Sequence, residues 1–184
     1  MRRLPLVALL FAAPVLLNAT VIVPIEFREL VTTSAVIVRG HVSDVRSAFV
    51  DGRRSVDTFV TLVADEYLKG DLGQHVTIRV PGGELGRFRT VFVGAPAFTV
   101  GEEVVLFLKT QSGGLPFIAG LNQGAYRIVG DDQTGRRMVT TPIVMASDPG
   151  QAERVVRGAA SRRPIPVEAF RDVVRDLLAK GAAQ

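Results

Sequence analysis

Residues 58–83, TFVTLVADEYLKGDLGQHVTIRVPGG, contain two apolar stretches on either side of a glycine-containing turn. In the second stretch, 75–80, apolar and polar side chains alternate, which is the period of a half-buried β-strand. Residues 69–73 have the composition of a turn, and the Pro-Gly-Gly at 81–83 would end the second strand. The segment therefore predicts a strand, a turn and another strand.

The same pattern continues along most of the chain. Asp51-Gly52 is a hairpin turn signal. Short strands separated by glycine-rich turns favour an antiparallel barrel or sandwich over a parallel sheet with crossover helices. We predict a mainly β fold, a small antiparallel OB-like barrel or sandwich. Further strands are predicted at 35–45, 104–108, 117–119, 125–129 and 137–140, with a brief pairing at 90–93.

A helix is predicted at each end of this β region. Residues 25–34 place a few apolar side chains among polar ones, which is typical of a short helix. From Pro166 onward apolar residues recur at helical spacing, and Gly181 supplies a stop signal. We predict a β domain at 20–145 with its short leading helix, a linker at 146–165, and an amphipathic helix at 166–180 that packs on the domain.

The first residues have the three parts of a secretory signal peptide. Arg2 and Arg3 give a basic start, residues 4–17 carry no charge, and Ala19 is a small residue at the exit. We predict a cleavable signal peptide at 1–19, cut after Ala19, and hence a secreted or periplasmic protein free of the membrane. The alternative is an uncleaved anchor, because residues 21–25 extend the apolar stretch.

Charge and cysteine content exclude several classes of function. The formal net charge of +4 falls to +2 when Arg2 and Arg3 leave, because no acidic residue leaves with them. The remaining arginine pairs are scattered, whereas a nucleic-acid-binding protein gathers them on one face. The chain has no cysteine, so we predict neither disulfides nor a lipid-modified amino terminus.

Catalytic and metal-binding motifs are scarce. His41 and His75 lie in predicted strands and could meet, but the sequence shows no third ligand of matching type, so no metal or other cofactor is predicted. No G-x-S-x-G elbow occurs, and no catalytic residue is assigned. A hydrolase would have to bring together separate carboxylates, for which the candidates are Asp65, Glu84, Glu102 and Asp131.

One segment carries a resemblance to other proteins. Between Leu68 and Ile128, LKGDLG is followed by VTIRVPGGELGRFRTVFVGAPAFTVGEEVVLFL and AGLNQGAYRIV. This order resembles a set of uncharacterised secreted bacterial proteins with the pattern PGG...G.P.F..GE..LLFL...GL.QG. More distantly it is similar to the OB-type barrel of netrin modules and tissue inhibitors of metalloproteinases. Those proteins use disulfides, and the inhibitors use an amino-terminal cysteine, so only the barrel is carried over.

These observations predict an exported, non-enzymatic binding module rather than an enzyme. Its partner would be an exported or envelope protein, and a specific version is an accessory or inhibitor of an exported protease. The alternatives are a hydrolase of unrecognised type that uses carboxylates and a structural envelope protein. The predicted ligand-binding residues are Gln123, Tyr126, Glu84 and Glu102.

Overall fold

The computed structural model describes residues 23–131, 134–142 and 164–181. The predicted signal peptide, 1–19, and the predicted linker up to residue 163 lie outside these residues. Within them the chain forms two α-helices, ten β-strands and two short 3₁₀ turns, at Asp51–Arg53 and Leu121–Gly124. The helices and strands are α1 (Phe27–Thr33), β1 (Val36–Val50), β2 (Ser55–Lys69), β3 (His75–Val80), β4 (Gly83–Leu85), β5 (Phe88–Thr90), β6 (Glu103–Lys109), β7 (Phe117–Ile118), β8 (Ala125–Gly130), β9 (Arg137–Thr140), β10 (Ile165–Pro166) and α2 (Val167–Gly181).

The strands form one large antiparallel sheet and one small hairpin. The order in the large sheet is β10-β9-β8-β6-β1-β2-β3, and β7 pairs with β6, while β4 and β5 pair only with each other. The mainly β, antiparallel prediction is therefore confirmed. A closed barrel is not confirmed, because closure requires a ladder between the end strands. Strand β3 is linked instead to the residue before β7, by a backbone hydrogen bond from Arg79 N to Pro116 O at 3.1 Å.

The longest element is the β1–β2 hairpin, which turns at the predicted Asp51-Gly52. Gly52 has a φ of 66° inside the 3₁₀ turn, a conformation that glycine adopts without strain. The pairing of β1 with β2 is irregular at three places, between Ile37 and Val38, between Arg39 and Gly40, and between Val42 and Asp44. Such irregularities bend strands and increase their twist, so they curve the middle of the sheet.

Gly40 lies at one of these irregularities, at a position that has no room for a side chain. A Cβ at residue 40 would be 2.3 Å from the carbonyl oxygen of Val63 on β2. We expect Gly40→Ala to lower the free energy of unfolding by about 1–3 kcal/mol, since the strands must separate. Urea denaturation measures this. Gly130→Ala is the control because nothing lies within 4 Å of its Cβ position; equal stability of the two variants would contradict the prediction.

The large sheet has a hydrophobic core on each of its faces. The inner core lies on the face to which Val38, Leu62, Ile78 and Leu106 point. The helix-covered core lies on the other face, where buried residues of β6 and β8 meet residues of α1 and α2. Alternation within single strands produces this division, because successive side chains point to opposite faces.

Both predicted helices are present, and each contributes buried residues to the helix-covered core. Leu30 and Val31 of α1 are buried, as are Val167, Phe170 and Val174 of α2. Neither helix of the described residues has the length and apolar character that crossing a bilayer requires. Ile165, the last residue of the predicted linker at 146–165, pairs with Val139 as part of β10.

Candidate functional site

The four predicted ligand-binding residues make their contacts in different parts of the structure. Gln123 is buried, and both ends of its side-chain amide bind the backbone that precedes α1. Its Oε1 accepts a hydrogen bond from Ile25 N at 2.7 Å, and its Nε2 donates to Val23 O at 3.0 Å. Gln123 therefore fixes the path of the chain into α1.

Tyr126 belongs to the helix-covered core. Its ring lies 5.3–5.9 Å, between centroids, from the rings of Phe27, Phe107 and Phe170. Burial raises the pKa of Tyr126 to about 12. These contacts assign the ring to packing between the sheet and the helices.

The two predicted carboxylates have arginine neighbours at two different sites. Glu84 is exposed on the β4–β5 hairpin, 2.9 Å from Nε of Arg89. Glu102 lies 3.9 Å from Nε of Arg127. Two further carboxylates belong to the hydrolase hypothesis. Oδ2 of Asp65 lies 2.8 Å from Nδ1 of His41, and Asp131 accepts a hydrogen bond from Thr134 N at 3.0 Å in the β8–β9 loop. The carboxylates that the sequence proposed for catalysis are thus each engaged in a different local contact.

Three ionisable side chains that the sequence did not group together meet beside the helix-covered core. His41, Asp65 and Glu103 each bring one possible metal-ligand atom within 4.8 Å of the others. Nδ1 of His41 lies 2.8 Å from Oδ2 of Asp65, and Nε2 lies 3.9 Å from Oε2 of Glu103. With Arg39 and Arg137, these residues form what we call the charged cluster.

The arginines of the charged cluster both contact Glu103. Nη1 of Arg39 lies 3.0 Å from Oε1 of Glu103, and Nη2 of Arg137 contacts the same oxygen. Arg39 is largely buried, whereas the Arg137 side chain is 49% exposed. One oxygen of Glu103 is therefore occupied by arginine, and the other faces His41.

Sheet register builds the charged cluster. Arg39 and His41 follow Ile37 at intervals of two, so they point to the helix-covered face of β1. Glu103 is the direct partner of His41 on β6. The other histidine, His75, is aligned with Val63 of β2, as is His41 from the opposite side. The two histidines are thus two strand spacings apart, about 9–10 Å, and do not meet.

Helix α2 borders the charged cluster through Glu66 of β2. Nε of Arg171 lies 3.1 Å and Nη2 of Arg175 lies 3.4 Å from Oε1 of Glu66. Glu66 is also 3.4 Å from Nε of Arg39. This carboxylate is therefore taken up by the contact between the helix and the sheet. In the rest of the charged cluster the side chains of His41 and Asp65 are partly exposed, whereas that of Glu103 is 13% exposed.

A second feature is an exposed apolar surface at the β4–β5 hairpin and the chain that follows it. Its large apolar side chains are between 36% and 70% exposed. Beside it an open groove of about 330 Å³ runs between the hairpin and the large sheet. We call these residues the hairpin patch; they are Leu85, Phe88, Val91, Phe92 and Val93.

The hairpin patch is held firmly although its side chains face solvent. Thr90 Oγ1 accepts a hydrogen bond from Val56 N at 2.9 Å, and the Phe88 ring packs edge-on against Phe49 at 5.2 Å. Further along, Asn122 N donates to Gly94 O at 2.9 Å. The exposed apolar side chains therefore stand on backbone that is tied to the rest of the fold at both ends.

Comparison with known protein families, with curated proteins and with solved structures finds no match to this chain. The resemblance to secreted bacterial proteins and to netrin-type barrels stays a prediction.

Proposed function

We propose that this chain is an exported, non-enzymatic binding module that holds another protein through the hairpin patch. The observation that carries the proposal is the exposure of five large apolar side chains on one anchored hairpin and the three residues that follow it. Contiguous exposed apolar surface on a folded domain marks an interaction site more often than chance exposure of single residues does. Export rests on the predicted signal peptide at 1–19.

The charges next to the hairpin patch indicate the chemistry of the partner. Between residues 85 and 93 the charged side chains are Arg87 and Arg89, and there is no acid. Arg89 is paired with Glu84, while the Arg87 guanidinium lies over the Phe88 ring, 5.2 Å from its centroid. We infer a partner that presents an apolar segment flanked by acidic side chains. An exported protease, bound by an accessory or inhibitor, is the specific partner that we propose from the sequence.

We also propose that the large sheet is a partly open OB-like barrel. An OB fold is a five-stranded, partly open barrel. The support is the order β3-β2-β1-β6-β7, in which the first and last strands approach each other at the Arg79 N to Pro116 O hydrogen bond. In this proposal α1 and α2 cover the outside of the barrel, and the hairpin patch extends from the end of β3.

The double variant Val91→Asp/Val93→Asp tests the binding proposal. These are the two most exposed side chains of the hairpin patch, so the change should leave the fold intact. Loss of central apolar contacts should weaken partner binding at least about 30-fold, the effect of a hot-spot residue. The matched control is Val173→Asp, the same change at an exposed valine of α2.

The measurement starts with capture from a periplasmic extract by the full chain, at several salt concentrations. We expect one protein to be recovered by the wild type and by Val173→Asp, and lost with the double variant. The dissociation constants of the purified partner with the wild type and with the double variant then test the expected 30-fold difference. A protease assay shows whether the partner is inhibited. Recovery of no partner, or equal capture by all three chains, would contradict the proposal and leave a structural envelope role.

A further inference from the structure

We propose that His41 and Glu103 bind a divalent transition-metal ion such as zinc, with Asp65 orienting the imidazole. This site is separate from the hairpin patch and goes beyond the proposed binding function. Imidazole and carboxylate are both ligands that zinc takes in proteins. Three adjacent strands, β1, β2 and β6, supply the residues. The pairing of β1 with β6 is regular from Val36 to His41, whereas the pairing of β1 with β2 is irregular on both sides of His41.

The orientation of the His41 ring leaves one nitrogen free for a metal. Nδ1 is at hydrogen-bonding distance, 2.8 Å, from Oδ2 of Asp65, so this nitrogen carries the proton. The lone pair is then on Nε2, which points toward Glu103. Histidines that ligate metals generally donate the other ring N–H to a carboxylate or a carbonyl in this way.

The distance from His41 to Glu103 fits a bridging ion better than a direct contact. Nε2 and Oε2 are 3.9 Å apart, which is too long for a hydrogen bond. Zinc binds nitrogen and oxygen at about 2.0–2.2 Å, so two ligand atoms of a tetrahedral zinc ion are about 3.4 Å apart. An ion between these two atoms requires little movement, and water would complete its coordination.

The charges around Glu103 determine how the ion can enter. Asp65 and Glu103 are balanced by Arg39 and Arg137, so an added divalent cation would be opposed by both arginines. Arg39 is largely buried, but Arg137 is half exposed on β9 and can turn into solvent. The ion therefore binds at Oε2 of Glu103, and Arg137, which contacts Oε1, moves away from it into solvent. With two protein ligands, the site should bind zinc more weakly than a four-ligand structural site does.

Zinc titration of the purified full chain, without a histidine tag, tests the site. We expect saturable one-to-one binding by calorimetry and, with cobalt in place of zinc, a visible absorption band from the bound ion. His41→Ala should abolish both signals. His75→Ala is the matched control, because it removes the other of the two histidines, which lies on β3 away from Glu103.

Two further variants separate a metal site from a network of ion pairs. Asp65→Asn should weaken zinc binding about 10–100-fold, the usual effect of losing the partner that orients a metal-binding histidine. Arg137→Gln should strengthen zinc binding, because it removes the competing cation. Binding by His41→Ala that equals wild type, loss of binding in His75→Ala, or no saturable binding by wild type would each overturn the proposal. Thermal unfolding in a chelator verifies that every variant is folded.

Discussion

Replacing Phe170 by alanine should lower the free energy of unfolding by about 3–5 kcal/mol, the usual cost of removing a buried phenylalanine ring. Phe170 is 4% exposed and joins α2 to the sheet. Its ring lies 5.4 Å from Tyr126, 5.6 Å from Phe27 and 6.4 Å from Phe107, measured between centroids. The variant leaves a cavity where α1, α2 and the sheet meet, and the surrounding rings cannot fill it.

The control for this variant lies on the same helix. Val173 is 44% exposed, so Val173→Ala should change the free energy of unfolding by about 0.5 kcal/mol or less. Urea denaturation followed by circular dichroism measures both variants, and Phe170→Leu should recover much of the loss because it fills part of the cavity. A cost below about 1 kcal/mol for Phe170→Ala would mean that α2 contributes little to the core.

The regular elements could be predicted because their signals are local. Residues 75–80 alternate in hydrophobicity, and in β3 the apolar members of this stretch are buried. Asp51-Gly52 predicted the turn because glycine readily adopts a positive φ. Helix α2 could be predicted because its buried residues, among them Phe170 and Val174, recur at helical spacing. Each of these patterns is complete within about fifteen residues or fewer, so no tertiary information was needed.

The charged cluster could not be predicted because it depends on strand register. His41, Asp65 and Glu103 are far apart in sequence, and a shift of one residue in the pairing of β1 with β6 would put Glu103 on the opposite face. The sequence suggested Asp65 only as one of several separate carboxylates of a hydrolase, and it did not single out Glu103. The available signal was the alternation of Ile37, Arg39 and His41, which places both polar residues on one face but does not reveal their partners.

The hairpin patch was missed for a different reason. Apolar residues in a sequence predict burial, and 90–93 were therefore expected to pair as a short strand. The strand is instead β5, at Phe88–Thr90, and Val91, Phe92 and Val93 follow it in exposed positions. Only the packing of the hairpin against β1 and β2 determines which of its faces is covered, and this packing involves residues about thirty positions away, such as Val56.

Asp57→Ala should lower the free energy of unfolding by about 2–3 kcal/mol, because it removes charge-assisted hydrogen bonds and leaves a buried N–H without an acceptor. Asp57 is 5% exposed at the start of β2. Its Oδ2 accepts from Nε of Arg79 at 2.5 Å, and its Oδ1 accepts from Gly82 N at 3.2 Å. One carboxylate therefore holds both β3 and the first residues that lead into the β4–β5 hairpin.

Comparison with Arg79→Ala separates these two contacts. Arg79→Ala leaves Gly82 N with its acceptor, although it also leaves the largely buried Asp57 carboxylate without its cation. It should therefore cost less than Asp57→Ala, and the difference is a lower limit for the bond to Gly82 N. The loss of unfolding free energy in Asp57→Asn should lie between those of the other two variants, because the amide oxygen of asparagine can still accept a hydrogen bond from Gly82 N. Urea denaturation of the three variants gives these differences, and equal costs for Asp57→Ala and Arg79→Ala would contradict this ranking.

The same variants connect the stability of the hairpin to partner binding. If the hairpin patch binds its partner, a hairpin loosened at Gly82 must be ordered again when the complex forms, and that ordering opposes binding. Asp57→Ala should then weaken the complex although Asp57 is buried beneath the patch, and Arg79→Ala should weaken it less. Amide hydrogen exchange at residues 83–90 should be fastest in Asp57→Ala, slower in Arg79→Ala and slowest in the wild type. Unchanged binding combined with faster exchange would place the interaction surface elsewhere on the protein.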